Sequence, residues 1–287
     1  MTMIRVTAYE NPKSIEEATT FLAKDTYVPI AGGTDVILEL RNGMPVKLLD
    51  INNLKLNHVT SNKDNIEIGA ACTHTQLASN PIVSQFVPLV GIAAGKVGSK
   101  QIRNRGTIGG NIVNASPCAD TIPALLIYDA ELVLLSKKGR RIARLDEFIT
   151  SPYATIKRND ELLHSIICKK NNKTGYSYLK LGRRQAVNIS RMTISVALDI
   201  DDDNAVIDAC ISAGSVFPVP SRMKDLEKFL RGEKIKPKLF KEAGKLAVDL
   251  MIKHSGYRWS TPYKEPVLAG LIERALMQAS KGIVQDN

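Results

Sequence analysis

The amino-acid sequence predicts an α+β protein in which two small α/β units precede a C-terminal region of three antiparallel strands and several helices. Three observations lead to this prediction. Strand-like and helix-like segments alternate over residues 1–57 and again over residues 58–170. Five polar or turn-forming residues, 171–175, then interrupt the chain. Beyond them, over residues 175–287, strand-like runs come first and helical patterns follow, as is typical of an α+β domain.

The first unit, residues 1–57, is predicted to run strand, helix, strand, helix, strand. The first helix begins after Ser14, since Glu17 follows three residues later and completes a capping box. A turn is expected at Asn42-Gly43, before the last strand. The other predicted elements are, in chain order, Ile4–Ala8, Tyr27–Ile30, Val36–Leu40 and Val46–Ile51.

The second unit, residues 58–170, alternates less regularly. A stretch rich in glycine and polar residues, Gly98–Asn111, is predicted to be a loop. The predicted strands are Ile66–Ala70, Glu131–Ser136, Arg140–Leu145 and Leu162–Cys168. The predicted helices are Thr75–Ala78, Val87–Lys96 and Asp120–Tyr128.

The C-terminal region, residues 175–287, is predicted to contain three antiparallel strands and then helices with one apolar face each. The strands are Ser177–Leu181, Thr193–Asp199 and Ala205–Ser212. The apolar faces are Met223, Leu226, Phe229 and Leu230; Phe240, Ala243, Leu246, Ala247 and Leu250; and Leu268, Leu271, Ile272 and Leu276.

Composition and charge exclude several classes of protein. Hydrophobic residues make up 44% of the 287 residues, enough for a packed core. No apolar run reaches the about 18 residues of a membrane span, and the N-terminus lacks the pattern of a secretory signal, so a cytoplasmic protein is expected. The net charge is +10, but the basic residues are scattered and aromatic residues make up only 5%, which argues against nucleic-acid binding. A basic face for an acidic protein partner or an anionic cofactor fits better.

Cysteine and histidine residues give no metal site. The four cysteines, Cys72, Cys118, Cys168 and Cys210, are far apart and form no iron–sulfur or zinc pattern. The four histidines are equally isolated. No nucleophile motif and no obvious pair of carboxylates is present, so no catalytic residue is predicted.

Two glycine-rich loops are the strongest functional signal. Ala31-Gly32-Gly33-Thr34-Asp35 follows a predicted strand and precedes a predicted helix, where backbone N–H groups can bind phosphate. The second loop, Gly106–Asn111, repeats the paired glycines, a hydroxyl and a polar side chain. Each loop alone also fits a tight structural turn, but two of them fit a ligand with two phosphates. Neither a dinucleotide fingerprint nor a P-loop is present.

Three segments carry a resemblance to a known family. Pro29–Val36 (PIAGGTDV), Gly98–Ile112 (GSKQIRNRGTIGGNI) and Asn114–Asp120 (NASPCAD) resemble the FAD-binding, or medium, subunit of the molybdenum hydroxylases. This family includes subunits of xanthine dehydrogenase, carbon monoxide dehydrogenase and nicotinate dehydrogenase. The resemblance implies a PCMH-type FAD-binding domain over residues 1–170, with subdomains of about 1–57 and 58–170, and a C-terminal domain over 175–287.

The resemblance also implies which residues bind FAD. Asp120 would contact the cofactor through its carboxylate, Leu163 would contact the flavin through its backbone, and Lys180 would lie near the flavin ring. Each has an alternative: Asp120 as a helix N-cap, Leu163 as a core residue and Lys180 as a solvated strand residue. The loop residues that would wrap the pyrophosphate or complete its cradle are Pro29, Ile30, Ala31, Gly32, Gly33, Thr34, Asp35, Val36, Thr107, Ile108, Gly109, Gly110 and Asn111.

The function implied by the resemblance is electron transfer within an oxidoreductase. Electrons would pass from [2Fe–2S] clusters on a partner subunit through FAD to an acceptor such as NAD, while a molybdopterin-binding large subunit oxidises the substrate. Val97 stands where eukaryotic xanthine dehydrogenases have an aromatic residue beside the flavin, so the use of NAD(H) stays open. Two alternatives also stay open: a self-contained FAD oxidoreductase of the same fold, and a basic binding module without enzymatic activity.

Overall fold

A computed structural model describes residues 5–40, 45–182 and 189–282 of the chain. It contains three main β-sheets, each covered by helices, and the mixed fold class predicted from the sequence is confirmed. Among the described residues, no helix combines the length and the apolar character needed to cross a bilayer.

The first unit is a three-stranded parallel sheet with the strand order β1-β3-β2. The Ser14 hydroxyl accepts the N–H of Glu17 at 3.1 Å and so caps α1, as the sequence predicts. Residue 4 and the predicted turn at Asn42-Gly43 lie outside the described residues. The elements are β1 (Val6–Glu10), α1 (Ile15–Lys24), β2 (Tyr27–Ile30), α2 (Val36–Glu39) and β3 (Val46–Asp50).

The second unit is a five-stranded antiparallel sheet with the order β4-β5-β10-β6-β7. Its buried face packs against helices that come between β5 and β6 in the chain, and this layer is the largest core of the protein. The sheet strands are β4 (Val59–Ser61), β5 (Asn65–Gly69), β6 (Glu131–Ser136), β7 (Gly139–Arg144) and β10 (Leu162–Lys169). The helices are α3 (His74–Ser79), α4 (Pro81–Phe86), α5 (Pro88–Gly95), α6 (Lys100–Arg105), α7 (Ile108–Asn114), α8 (Thr121–Leu126) and α9 (Leu145–Phe148), and a small hairpin joins β8 (Ile149–Ser151) and β9 (Ala154–Thr155).

The prediction of a loop over Gly98–Asn111 is wrong. Two short helices, α6 and α7, occupy most of this stretch. Each begins after a hydroxyl residue that accepts a backbone N–H of the first turn: Ser99 caps α6 and Thr107 caps α7, at 3.2 and 3.1 Å. Such caps satisfy N–H groups that a helix end leaves unpaired, which compensates for the low helix propensity of the glycines.

The C-terminal region is an antiparallel sheet with the order β11-β12-β13-β14, covered by helices. The three predicted strands are present, and a two-residue strand, β14, extends the sheet. The elements are β11 (Gly175–Gly182), β12 (Ser190–Ile200), β13 (Val206–Gly214), β14 (Ser221–Arg222), α10 (Lys224–Leu230), α11 (Pro237–Ser255) and α12 (Thr261–Ala279).

Helix α8 joins the second unit to the C-terminal sheet. The buried Tyr178 on β11 donates its hydroxyl to the carbonyl oxygen of Asp120, just before α8, at 3.1 Å. After α8, Asp129 accepts a hydrogen bond from Arg222 on β14 at 3.0 Å. Tyr178, Ala197 and Cys210 of the C-terminal sheet also belong to the core cluster of the second unit. The two regions therefore share buried surface on either side of this helix.

Two glycines of the C-terminal region give a direct test of this packing. A Cβ atom on Gly175 would lie 1.8 Å from the carbonyl oxygen of Ala279, whereas one on Gly270, within α12, would meet nothing within 4 Å. We therefore expect Gly175→Ala to lower the free energy of unfolding by roughly 1–3 kcal/mol. Gly270→Ala should raise it by up to about 1 kcal/mol, because alanine favours the helix. Urea unfolding of both variants measures the difference, and equal stability would contradict the packing of β11 on α12.

Candidate functional site

The first glycine loop offers a row of unpaired backbone donors. Within the described part of the chain, the N–H groups of Gly32, Gly33, Thr34 and Asp35 donate to no acceptor. Gly33 has a φ of +72°, a conformation that glycine adopts without strain. Consecutive free N–H groups in such a turn form a concave site for an anion. The loop can therefore bind a phosphate group through its backbone.

The two glycine loops are in direct contact. A Cβ atom on Gly32 would lie 1.8 Å from the carbonyl oxygen of Arg105, so only glycine fits at this position. A Cβ atom on Gly106 would lie 3.4 Å from the Thr34 hydroxyl oxygen. The structure thus brings the loops together although about seventy residues of chain separate them. The predicted two-loop arrangement exists as a geometric unit.

The second loop differs from the first because its N–H groups are already used. Ile108 donates to the carbonyl oxygen of Cys72 at 3.0 Å, and Gly109 donates to that of Ala70 at 2.9 Å. A Cβ atom on Gly109 would lie 2.6 Å from that same Ala70 oxygen, so this glycine serves the packing of α7. On Gly110, a Cβ atom would meet only the Thr107 hydroxyl, at 3.0 Å. Gly110 is exposed, and it is the glycine of this loop at which an added Cβ would meet no backbone atom outside its own helix.

Asp120 and Lys180 form a nearly buried ion pair at the end of the site. Lys180 Nζ lies 2.8 Å from Asp120 Oδ2 and also donates to the carbonyl oxygen of Lys96 at 2.6 Å. Asp120 is 6% exposed; burial raises the pKa of its carboxyl group, and the positive charge of Lys180 opposes that rise. The Asp120 side chain makes no helix-capping hydrogen bond, and Lys180 is not a solvated strand residue. Asp120 thus occupies the N-cap position of α8 but directs its carboxylate to Lys180 instead of the helix, and the solvated alternative for Lys180 is wrong.

Ser190 also contacts the Asp120–Lys180 ion pair, and the sequence analysis did not predict it. Its buried hydroxyl donates to Asp120 Oδ1, so both carboxylate oxygens have protein partners. Ser190 begins β12, seventy residues from Asp120, and no motif marks it. On the other side, the hydroxyl of Thr121 donates to Asn111 Oδ1 at 2.7 Å. The ion pair is thereby linked to the second glycine loop.

Leu163 lies in the core. Its side chain is buried, and it pairs across the sheet with Leu134 on β6. The next residue, His164, accepts the N–H of Ala70 at 2.9 Å, and Ala70 is the residue that contacts Gly109. The strand that carries Leu163 is therefore adjacent to the second loop, while the Leu163 side chain is a core residue, as the alternative drawn from the sequence has it.

His74 is a second residue that sequence analysis did not assign to the site. It is 2% exposed, its N–H donates to the carbonyl oxygen of Gly106 at 3.1 Å, and its Nδ1 has no partner within the described residues. Burial, assisted by the positive charge of Arg103, lowers the pKa of His74 from 6.5 to about 4. His74 is therefore neutral near pH 7, and its backbone N–H holds the first residue of the second loop.

Comparison with known proteins identifies the family. Residues 3–168 match the family described as the FAD-binding domain in molybdopterin dehydrogenase, and residues 177–279 match the carbon monoxide dehydrogenase flavoprotein C-terminal domain. The chain belongs to this family of flavoprotein subunits of molybdopterin-dependent oxidoreductases. Its cofactor is FAD, as the sequence resemblance implied.

Individual relatives cover nearly the whole chain. The glyceraldehyde dehydrogenase medium chain of Sulfolobus acidocaldarius is 31% identical over 95% of this chain and 98% of its own length. The nicotinate dehydrogenase FAD-subunit of Eubacterium barkeri is 31% identical over 92% of each chain. Among solved structures, carbon monoxide dehydrogenase from Hydrogenophaga pseudoflava matches with a TM-score of 0.90 and 25% identity, over 98% of this chain and 100% of that one.

The lowered pKa of His74 predicts an acid-dependent loss of stability. Because the pKa is about 4 in the folded chain and near 6.5 in the unfolded chain, the unfolded state binds the proton more readily. The contribution of neutral His74 is complete above pH 6.5 and is lost as the pH falls towards 4. When the pH is lowered from 7 to 4.5, the free energy of unfolding should fall in both proteins. We expect the fall to be about 2 kcal/mol smaller in His74→Leu than in the unmodified protein. Urea unfolding at both pH values checks this, and parallel losses would place the titration elsewhere.

Proposed function

We propose that this chain is the FAD-binding electron-transfer subunit of a molybdenum hydroxylase complex. It would pass electrons from [2Fe–2S] clusters on a partner subunit through FAD to an acceptor such as NAD. The observation that carries the proposal is the row of unpaired N–H groups at residues 32–35, set against the second glycine loop. Membership of the flavoprotein family supports it.

The two loops would hold the pyrophosphate of FAD. Residues 29–36 would wrap it, with the free N–H groups of residues 32–35 and the Thr34 hydroxyl as donors, and Gly110 would let it approach the exposed end of α7. Pro29 and Ile30 belong to β2 and fix the direction in which the loop leaves the sheet. Thr107, Ile108, Gly109 and Asn111 shape the opposite wall. Because the donors are backbone groups of a turn packed against the backbone of Arg105, they need little rearrangement to bind an anion.

Asp120, Leu163 and Lys180 would line the flavin end of the site. Asp120 and Lys180 neutralise each other, so they place a fixed dipole beside the cofactor and add no net charge. Leu163 would contribute its backbone. FAD, when bound, accepts electrons one at a time and donates them in pairs, which suits it to connect iron–sulfur clusters with a two-electron acceptor. The chain's part is to bind and orient it, and no residue is assigned to acid–base catalysis.

The partners follow from the same proposal. Several relatives carry the words medium chain or subunit in their names, as in the glyceraldehyde and nicotinate dehydrogenases. We infer an iron–sulfur subunit and a molybdopterin-binding large subunit for this chain, in the cytoplasm. The net charge of +10 favours acidic partner surfaces, through the rate and orientation of association. The proposed domain limits are 1–170, with subdomains 1–57 and 58–170, and 175–287.

Substitution at Gly110 tests the cradle. Gly110→Val should yield a protein that purifies without flavin, because the new side chain covers the exposed end of α7 beside the Thr107 hydroxyl. Asp120→Asn should keep more flavin although it lowers stability by leaving the Lys180 charge uncompensated, since the amide oxygen can still accept from Lys180 Nζ. Gly270→Val controls for a valine at an exposed helical glycine, since a Cβ at Gly270 would meet nothing within 4 Å. The ratio of flavin to protein decides, and full FAD occupancy in Gly110→Val would mean that the cradle is misplaced.

Purification from the native host tests the role in electron transfer. We expect the chain to elute with two other subunits that contain molybdenum and iron, as measured by metal analysis and subunit mass. If it purifies alone and oxidises an organic substrate, the self-contained oxidoreductase replaces this proposal. If it purifies alone and without flavin, a binding module replaces it. Reduction of a dye by NADH, measured on the FAD-loaded chain, tests NAD(H) as the acceptor.

A further inference from the structure

Three exposed aromatic residues lie within seven residues of one another where α11 meets α12. Trp259 is 95% exposed and Tyr257 is 68% exposed, both in the loop between α11 and α12, and Tyr263 in the first turn of α12 is 45% exposed. Trp259 is the only tryptophan in the chain. We call these three residues the aromatic corner.

The loop that presents the aromatic corner is well defined. The N–H of Gly256 closes α11 on the carbonyl oxygen of Ile252 at 2.9 Å. Arg258 donates its N–H to the Thr261 hydroxyl at 2.7 Å and its Nε to the carbonyl oxygen of Ser255 at 2.9 Å. Both helices adjoining the loop are thus tied to it. Trp259 is held out in solvent by a fixed turn, which lowers the entropy lost when a partner covers it.

The composition of the aromatic corner is that of an interface centre. Tryptophan, tyrosine and arginine are the residues most enriched among those that dominate binding energy between proteins. A tryptophan buries about 150–250 Å² of surface when a partner covers it. An exposed tryptophan adds nothing to the stability of the isolated chain. Arg191 lies over the Tyr263 ring, with its guanidinium carbon 5.1 Å from the ring centre, and Arg258 adjoins Trp259 in the loop.

The charge around the aromatic corner indicates the partner. Arg191 lies over Tyr263, Arg258 precedes Trp259, and Lys253 lies exposed in the last turn of α11. A second copy of this chain, with its own net charge of +10, would bring like charges together. An acidic protein surface with an apolar pocket for Trp259 is complementary to both features.

The aromatic corner is also connected to the candidate site. Arg191 directly follows Ser190, whose hydroxyl donates to Asp120. Beside Tyr263, Lys264 donates to the carbonyl oxygen of Ser215 at 2.7 Å, and the Ser215 hydroxyl reaches the carbonyl oxygen of Pro117 at 3.1 Å. Pro117 belongs to the segment that leads into Asp120. A protein that covers the corner therefore lies at the end of the molecule that carries the Asp120–Lys180 pair.

We propose that the aromatic corner is the docking surface for the iron–sulfur subunit. The patch of that subunit that covers Trp259 has an apolar centre surrounded by acidic residues. The inference rests on the proposed function, because an electron donor has to approach the end of the site assigned to the flavin. An anionic membrane, which also attracts tryptophan and basic residues, is the competing occupant that the experiment has to separate.

The test uses the FAD-loaded chain and the iron–sulfur subunit from the same host. Trp259→Ala should weaken their association at least about tenfold while the flavin content stays unchanged. Trp259→Phe should restore most of the affinity, and Arg258→Glu should weaken binding most at low salt. Ile207→Ala is the control: this residue is 53% exposed on β13, and its removal should leave affinity unchanged. Sedimentation velocity measures each dissociation constant.

Fluorescence of the single tryptophan gives an independent reading. In the complex, acrylamide should quench Trp259 much less than in the free chain. If the complex forms but Trp259 stays as accessible as before, or if Trp259→Ala binds like Ile207→Ala, the corner assignment is overturned and the proposed function stands. If no complex with an iron–sulfur subunit forms, the proposed function itself fails. Protection of Trp259 by phosphatidylglycerol vesicles without protection by the subunit would replace this proposal with membrane binding.

Discussion

The site depends on the contact between Gly32 and the backbone of Arg105. The first glycine loop belongs to a parallel sheet, and the second belongs to a helical layer on an antiparallel sheet. No shared element connects the two loops, so direct backbone contact brings them together. With a Cβ atom 1.8 Å from the Arg105 oxygen, any other residue at position 32 would force the two loops apart. The Thr34 hydroxyl would then no longer lie beside Gly106.

A second constraint holds the other end of the site. Asp120 comes from the second unit, while Lys180 and Ser190 come from two strands of the C-terminal sheet. Removal of one member of such a buried pair leaves the other charge without compensation, which costs several kcal/mol. The pair therefore fixes how the C-terminal sheet sits on α8. Since Thr121 also holds Asn111, this orientation is transmitted to the second glycine loop.

The sequence predicted the local features of the fold better than the tertiary ones. The cap at Ser14, the three strands after residue 175 and the family resemblance were all readable, because each depends on residues close together in the chain. The helices within Gly98–Asn111 were missed because glycine and polar residues outweighed the caps at Ser99 and Thr107. Gly32 and Gly33 look equivalent in the sequence. Glycine is required at position 32 because Arg105, 73 residues away, packs against it, and at position 33 because the backbone has a positive φ. Partnerships such as Ser190 with Asp120 leave no trace in the sequence.

The distribution of charge separates the cofactor site from the rest of the surface. The only charged residue within Ala31–Asp35 is the acidic Asp35, so the donors available to an anion there are N–H groups and a hydroxyl. Two cations near the site are already committed, since Arg103 donates to the carbonyl oxygens of Val97 and Gly98 and Lys180 is paired with Asp120. Neither Ala31–Asp35 nor Gly106–Asn111 contains a basic residue, and the exposed Arg105 stands directly before the second loop. Inside the two loops the donors are therefore backbone dipoles, and basic side chains outside them are left to orient anionic or acidic partners.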